Sequence, residues 1–130
     1  MKQANIQKGK IGERVAVEYL ESKDYKIVEV NYRTRFGEID VICTRQDSEH
    51  YLSSEPVIVF VEVKTKTGDE FGEPWEMVDS RKLGQIKRVA TMYLKKKKLG
   101  EPLCRIDVIG VWLRIDESVE KLKHWENVES

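Results

Sequence analysis

"VFVEVKTK", Val59 to Lys66, begins as an interior strand and then breaks its own pattern. Successive strand side chains point to opposite faces, so Val59, Val61 and Val63 share one face, and Phe60, Glu62 and Lys64 share the other. An acid and an ammonium therefore continue an apolar face. A buried charge without partners is strongly unfavourable, so these two side chains need a counter-charge, a metal ion or a water-filled cleft. Val57 and Ile58 precede the stretch. The whole run from Val57 to Lys64 is thus apolar on both faces at its start, as expected of a central strand.

Working outward, "YKIVEVNYR" (Tyr25 to Arg33) and "EIDVIC" (Glu38 to Cys43) predict two more strands, joined by the short "TRFG" turn into an antiparallel hairpin. In the second of these, strict alternation puts Ile39 and Val41 on one face and Glu38, Asp40 and Ile42 on the other, so that Asp40 lies in a run that should be buried. Ahead of the hairpin, Ile11, Val15, Ala16, Tyr19 and Leu20 recur at helical spacing within a predicted helix from Asn5 to Ser22, with Glu13 on the edge of the apolar stripe. The segments "TRQDSEHYLSSEP" (44–56) and "TKTGDEFGEPWEMVD" (65–79) predict loops. Ser80 is the expected N-cap of a second helix that runs to about Lys97, its inner stripe made of Leu83, Ile86, Ala90, Tyr93 and Leu94. "CRIDVIGVWL" and "EKLKHWENV" predict a strand and its partner. Helix, three strands, helix and one or two strands make an α/β fold on a mixed sheet, and a strand at Arg105 parallel to the central one would make the second helix its crossover.

The 130 residues are the size of one domain, 1–130, and 40% hydrophobic with 35% charged residues excludes a disordered chain. No apolar run approaches the roughly 18 residues that span a bilayer, and the polar start "MKQANIQKGK" leads us to expect a cytoplasmic protein. Cys43 and Cys104 are expected to be buried free thiols. His50 and His124 have no ligand spacing around them, which argues against a zinc centre and a histidine nuclease. Catalysis would fall to carboxylates and lysines. The charge balance, 23 acidic against 23 basic residues, gives no general case for nucleic-acid binding, and no stripe of aromatic and basic residues is visible along the chain.

If the second and third strands pair across the long loop, Asp40 and Glu62 come side by side with Lys64 beyond. Two converging carboxylates repel unless a proton or cation lies between them, and an oxygen-rich pair with room for water suits magnesium. The Val63 carbonyl offers a further oxygen. Such a centre serves phosphodiester hydrolysis, with Lys64 orienting the water and Glu13 supporting the ion's water shell or a second ion. Arg33 and Arg35, flanking the turn, are candidates for backbone phosphates. Trp75 is the tryptophan to test for base stacking, whereas "KKKK" (Lys95 to Lys98) reads as a solvated helix end.

Asp40 in "GEIDVI" followed by Glu62 and Lys64 in "VFVEVK" resembles the PD-(D/E)XK nuclease superfamily, and Glu13 resembles the helical acid of archaeal Holliday-junction resolvases. More closely, "GKIGERVAVEYL", "NYRTRFGEIDVI", "VFVEVKTK", "FGEPWEMV", "RKLGQIKRVATMYL" and "RIDVIGV" together resemble the bacterial YraN-like uncharacterised protein family over nearly the whole chain. The resemblance implies a restriction-endonuclease-like mixed β-sheet flanked by helices, and Mg2+ or Mn2+ at Asp40, Glu62 and Val63 with Glu13 and Lys64. It also implies polar contacts from Lys82 and Gln85. The expected substrate is DNA, branched or damaged, with a homodimer and a recombination or repair partner as expected assemblies. Tyr25 stands where a glycine is common, and the loop from Arg45 to Pro56 is long; neither touches the presumed site. Two other readings stay open: a nucleic-acid-binding module without turnover that works with a partner nuclease or recombination protein, and an interaction domain in which Glu62 and Lys64 pair without metal.

Overall fold

The computed structural model describes residues 2–46, 55–68 and 78–128. In chain order these form helix α1 (Lys2–Ser22), strands β1 (Lys26–Thr34), β2 (Gly37–Arg45) and β3 (Val57–Thr67), helix α2 (Ser80–Lys96), and strands β4 (Cys104–Leu113) and β5 (Val119–Trp125). The five strands make one sheet in the order β1-β2-β3-β4-β5. β3 pairs parallel with β4, and the other neighbours are antiparallel. This is the α/β mixed sheet expected from the sequence, with β3 central and α2 as the crossover.

Apolar residues on the two faces of the sheet support one helix each. Ala16 and Leu20 of α1 pack on Val59, Val61, Val63, Ile109 and Val111. Ile86, Val89, Ala90 and Tyr93 of α2 pack on Ile39, Ile42, Phe60 and Ile106. Helix α1 lies close to the C-terminal half of β3, because a Cβ at Gly12 would collide with the Thr65 side chain. That close approach brings Glu13, the next residue, to the end of the strand that carries Glu62.

Several expectations are corrected. The N-cap of α2 is Asp79, whose carboxylate accepts the Lys82 N–H at 2.8 Å, in place of Ser80, which is the first helical residue. Cys43 is buried as expected, but Cys104 is exposed because it opens β4 at the sheet margin. Thr44 and Arg45 belong to β2, and Thr65 to Thr67 to β3, which shortens both expected loops. Trp75, His50 and most of those two loops lie outside the described residues.

The most consequential correction concerns alternation in β2. Ile39 and Ile42 both pack on the α2 side, while Val41 and Cys43 pack on the α1 side. Two-residue periodicity therefore breaks at Asp40. The β2–β3 ladder ends there too, its last pair being Val41 and Val61. Across the hairpin, Val30 pairs with Val41 and Tyr32 with Ile39, leaving Asn31 beside the break with a left-handed φ of 53°.

Candidate functional site

Because β2 pairs with β3 only from Val41 onward, the Val63 amide meets a side chain where the ladder would have supplied a carbonyl: it donates to Asp40 Oδ2 at 2.8 Å. The Asp40 carboxylate thus lies near the hydrogen-bonding plane of the sheet instead of on one face. From there it interacts with Glu62 from the α2 side and with Glu13 from the α1 side. Asp40 and Glu62 are each only 6% exposed. The sequence places this pair correctly, and Asp40 reaches it by way of a break in the strand.

Two acids in a dry place hold protons tightly. Burial, then the Asp40 charge, pushes the Glu62 carboxyl up to about 7, against the opposing pull of Lys82 and Lys64 and with an added upward push from its hydrogen bond to Asp40. Burial also raises Asp40, although the Val63 amide stabilises its charged form. Glu13 is raised by burial and by Asp40, and a hydrogen bond with Asn31 offsets part of this.

The cations stand at longer range. Lys64 Nζ is 3.6 Å from Glu62 Oε1, and Lys82 Nζ is 3.9 Å from Glu62 Oε2. Lys82 lies in the first turn of α2, where its backbone N–H donates to the Asp79 cap. Lys82 and Gln85 also line an open groove of about 430 Å³ whose other wall is the β1–β2 turn with Arg33, Arg35 and Phe36. Gln85 Nε2 donates to the Phe36 carbonyl at 2.8 Å. Gly37 makes this possible: its φ of 145° suits glycine, and a Cβ there would come within 2.8 Å of Gln85. Arg33 pairs with Glu38 at 3.0 Å across the hairpin.

Two residues of this region escaped sequence reasoning. Asn31 supports Glu13, and its only sequence signal is that asparagine tolerates the left-handed region better than its β-branched neighbours. Arg88 lies 3.7 Å from the Phe36 ring centroid, with Arg35 at 4.8 Å from the same ring. Nothing in the local sequence links Arg88 to a turn some fifty positions earlier.

A divalent ion fits the pair. The donors are hard carboxylate oxygens, they repel one another, and the protonation that relieves this repulsion would be replaced by a cation. Among the described residues no three His, Cys, Asp or Glu side chains are grouped to hold a metal ion. Glu13 therefore supports the pair from beside it and does not complete a three-carboxylate cage. Magnesium commonly uses one or two carboxylates and keeps several waters, so two protein acids are a sufficient set.

A family model describing an uncharacterised protein family, UPF0102, matches residues 12–111. The chain belongs to that family. The UPF0102 match runs from Gly12 to Val111 and so includes Glu13, Asp40, Glu62, Lys64, Lys82 and Gln85. A UPF0102 protein of Alkaliphilus oremlandii is 44% identical over 121 residues, covering 92% of this chain and 94% of the relative. One from Syntrophomonas wolfei is 38% identical over 120 residues, covering 92% and 95%. A third, from Clostridioides difficile, is 44% identical over 109 residues, covering 84% and 88%.

Proposed function

We propose that this UPF0102 protein is a magnesium-dependent endonuclease of the PD-(D/E)XK type that hydrolyses DNA phosphodiester bonds. The observation that carries the reading is the buried Asp40–Glu62 pair, two acids held together at a break between strands although burial raises the proton affinity of each. Asp40 and Glu62 would hold Mg2+ or Mn2+, with the Val63 backbone and Glu13 in support. The ion, when bound, supplies Lewis-acid stabilisation of the phosphoryl oxygen and acidifies a water. Lys64, 3.6 Å from Glu62, orients that water and offers a proton donor next to the developing charge. Lys82 has a carboxylate on one side and the groove on the other, so it meets a phosphate that enters from the turn. Arg33, Arg35 and Gln85 line the same groove and steer the strand. Likeness to junction resolvases makes branched DNA the first substrate to try, damaged DNA the second, and a homodimer the assembly that would cut two strands. Among the described residues no helix is long and apolar enough to cross a membrane.

The test is cleavage of forked, junction and abasic DNA in Mg2+ and Mn2+ by the wild type and by near-isosteric variants. Asp40→Asn and Glu62→Gln should each reduce cleavage by more than about 100-fold with the fold retained, since each removes a charge that is needed in the transition state. Lys64→Ala should slow the reaction while metal binding persists. Cleavage that survives either acid variant would sink the reading. Tight DNA binding without cleavage in any divalent ion would turn it to a module that positions nucleic acid for a partner nuclease.

A further inference from the structure

The groove that leads to Lys82 carries, on its outer wall, an arrangement that the hydrolytic reading leaves unused. Phe36, in the β1–β2 turn, is fixed through its backbone: its N–H donates to Thr34 Oγ1 at 3.1 Å and its carbonyl accepts from Gln85 Nε2 at 2.8 Å. The Thr34 hydroxyl closes the turn by donating to the Gly37 carbonyl at 3.1 Å. The ring packs against the core under α2. It is therefore a rigid platform, tied to the helix as well as to the hairpin.

Two guanidinium groups gather on this ring, Arg88 at 3.7 Å from the centroid and Arg35 at 4.8 Å. An aromatic face attracts a cation but does not cancel its charge. Among the described residues no carboxylate is ion-paired with Arg35 or Arg88; Glu38, the acid of the turn, is taken by Arg33 at 3.0 Å. Both arginines are exposed, so their charge is presented to solvent. Like charges drawn to one ring repel, and an anion placed between them relieves that repulsion. Arginine suits a phosphate in particular, because its planar fork matches two oxygens and loses less freedom when the group already rests on a ring.

Helix α2 sets the distance from this pair to the buried acids. Lys82 Nζ is 3.9 Å from Glu62 Oε2, and Arg88 follows Lys82 on the same helix by about 9 Å of helical rise. Phosphates of one strand advance about 3.4 Å each along a duplex axis. The arginine pair thus falls about two to three nucleotides from a phosphate that meets Lys82.

We propose that Arg35 and Arg88 clamp a single backbone phosphate of a DNA strand, about two to three nucleotides from the phosphate at Asp40 and Glu62. Phe36 is the positioning residue of the clamp. A strand held here runs between α2 and the hairpin turn, and substrates that end short of the clamp bind more weakly. The inference rests on the nuclease reading for what happens at Asp40 and Glu62, but the clamp itself is tested by binding alone.

The experiment measures anisotropy of fluorescein-labelled forked DNA across a salt series, with Asp40→Asn/Glu62→Gln as the cleavage-free background. Adding Arg35→Gln/Arg88→Gln should weaken binding about tenfold near 0.1 M salt and flatten the plot of log K against log salt by roughly 0.7 to 0.9, the value for one phosphate and not for two. Lys95→Ala/Lys96→Ala, at the far end of α2, should change neither. A scan that places one uncharged methylphosphonate linkage at a time should then find a position that weakens binding by the background protein and has no effect on the arginine variant. Loss of affinity without a change in slope, or no linkage that separates the two proteins, means that the arginines only brace the turn and overturns the proposal. A slope change worth two phosphates, an equal loss in the Lys95/Lys96 variant, or no binding by the background protein overturns it too. The two readings fail separately. Cleavage by wild type with normal binding by the arginine variant leaves the nuclease without this clamp, whereas arginine-dependent binding with no cleavage by wild type leaves the clamp without the nuclease.

Discussion

Two clusters of buried charge flank β3, and they are built on opposite principles. On the α1 face Asp107, fully buried, has every carboxylate oxygen engaged: Arg105 Nε donates at 3.0 Å, the Asn127 amide at 2.9 Å, and His124 Nε2 lies 2.7 Å away. Tyr19 reaches the other nitrogen of His124, while Tyr25 receives a 2.6 Å bond from Arg105. Burial pushes Asp107 upward, yet the bonds from His124, Arg105 and Asn127 outweigh it and hold the carboxyl below its usual range. At the break in β2, by contrast, Asp40 and Glu62 face each other, their lysines stay at 3.6 and 3.9 Å, and both acids are raised. Similar burial gives opposite proton affinities because Asp107 is held by an arginine and two further hydrogen-bond partners, whereas Asp40 and Glu62 face another carboxylate. The first cluster clamps α1, β4 and β5 together; the second leaves two buried acids whose mutual repulsion two longer-range lysines only partly offset.

The largest expected effect separates the two by stability. Asp107→Ala should cost about 3 to 5 kcal/mol in urea unfolding, as expected when one partner of a buried charge network is removed and Arg105 is left without its acid. Glu62→Gln at pH 8 without metal should be neutral or stabilising. If Glu62→Gln costs as much as Asp107→Ala, both clusters are structural clamps and the contrast disappears.

The pH dependence comes next. The Glu62 proton is held more tightly in the folded than in the unfolded chain, so between about pH 4.5 and 7 the folded state binds more protons and stability falls as pH rises. The loss should be on the order of 2 to 3 kcal/mol in metal-free protein, and Glu62→Gln should remove most of the slope. Asp107 acts in the other direction: its contribution is present above the unfolded value near 3.8 and is lost only as pH falls below it. A flat wild-type profile from pH 5 to 7 would contradict the assignment at Glu62.

A smaller change is expected in metal affinity. On the proposed reading a bound metal would displace the Glu62 proton, so Mn2+ affinity by calorimetry should rise up to about tenfold from pH 6 to pH 8, with no heat in Asp40→Ala. The smallest effect sharpens how the pair is framed: Asp79→Ala should cost about 1 kcal/mol by removing the cap of α2, loosening Lys82 beside Glu62. Thermal melts with and without Mn2+ would show whether that loss is restricted to the cap.

Much of the candidate site is legible in the chain because strand periodicity is a local property. Val59 to Lys64 announces a central strand whose apolar face turns charged, and Asp40 announces an acid inside an apolar run. Helical spacing likewise places Glu13 at a margin, and Gly12 lets that margin approach Thr65. What alternation hides is its own failure. That Asp40 leaves its expected face to take the Val63 amide follows from the end of a ladder with a strand far along the chain, which no window of β2 contains.

The sequence by itself determined the order and type of the elements, the centrality of β3, and which acids would be isolated among apolar neighbours, since all of these follow from residues a few positions apart. Only the tertiary structure decided that Asp40 lies between two sheet faces, that Arg88 rests on Phe36, and that Asp107 of β4 meets His124 of β5. The reason is register: strand pairing sums positions from distant segments, and in a chain whose charges cancel overall it can still sort them onto separate faces.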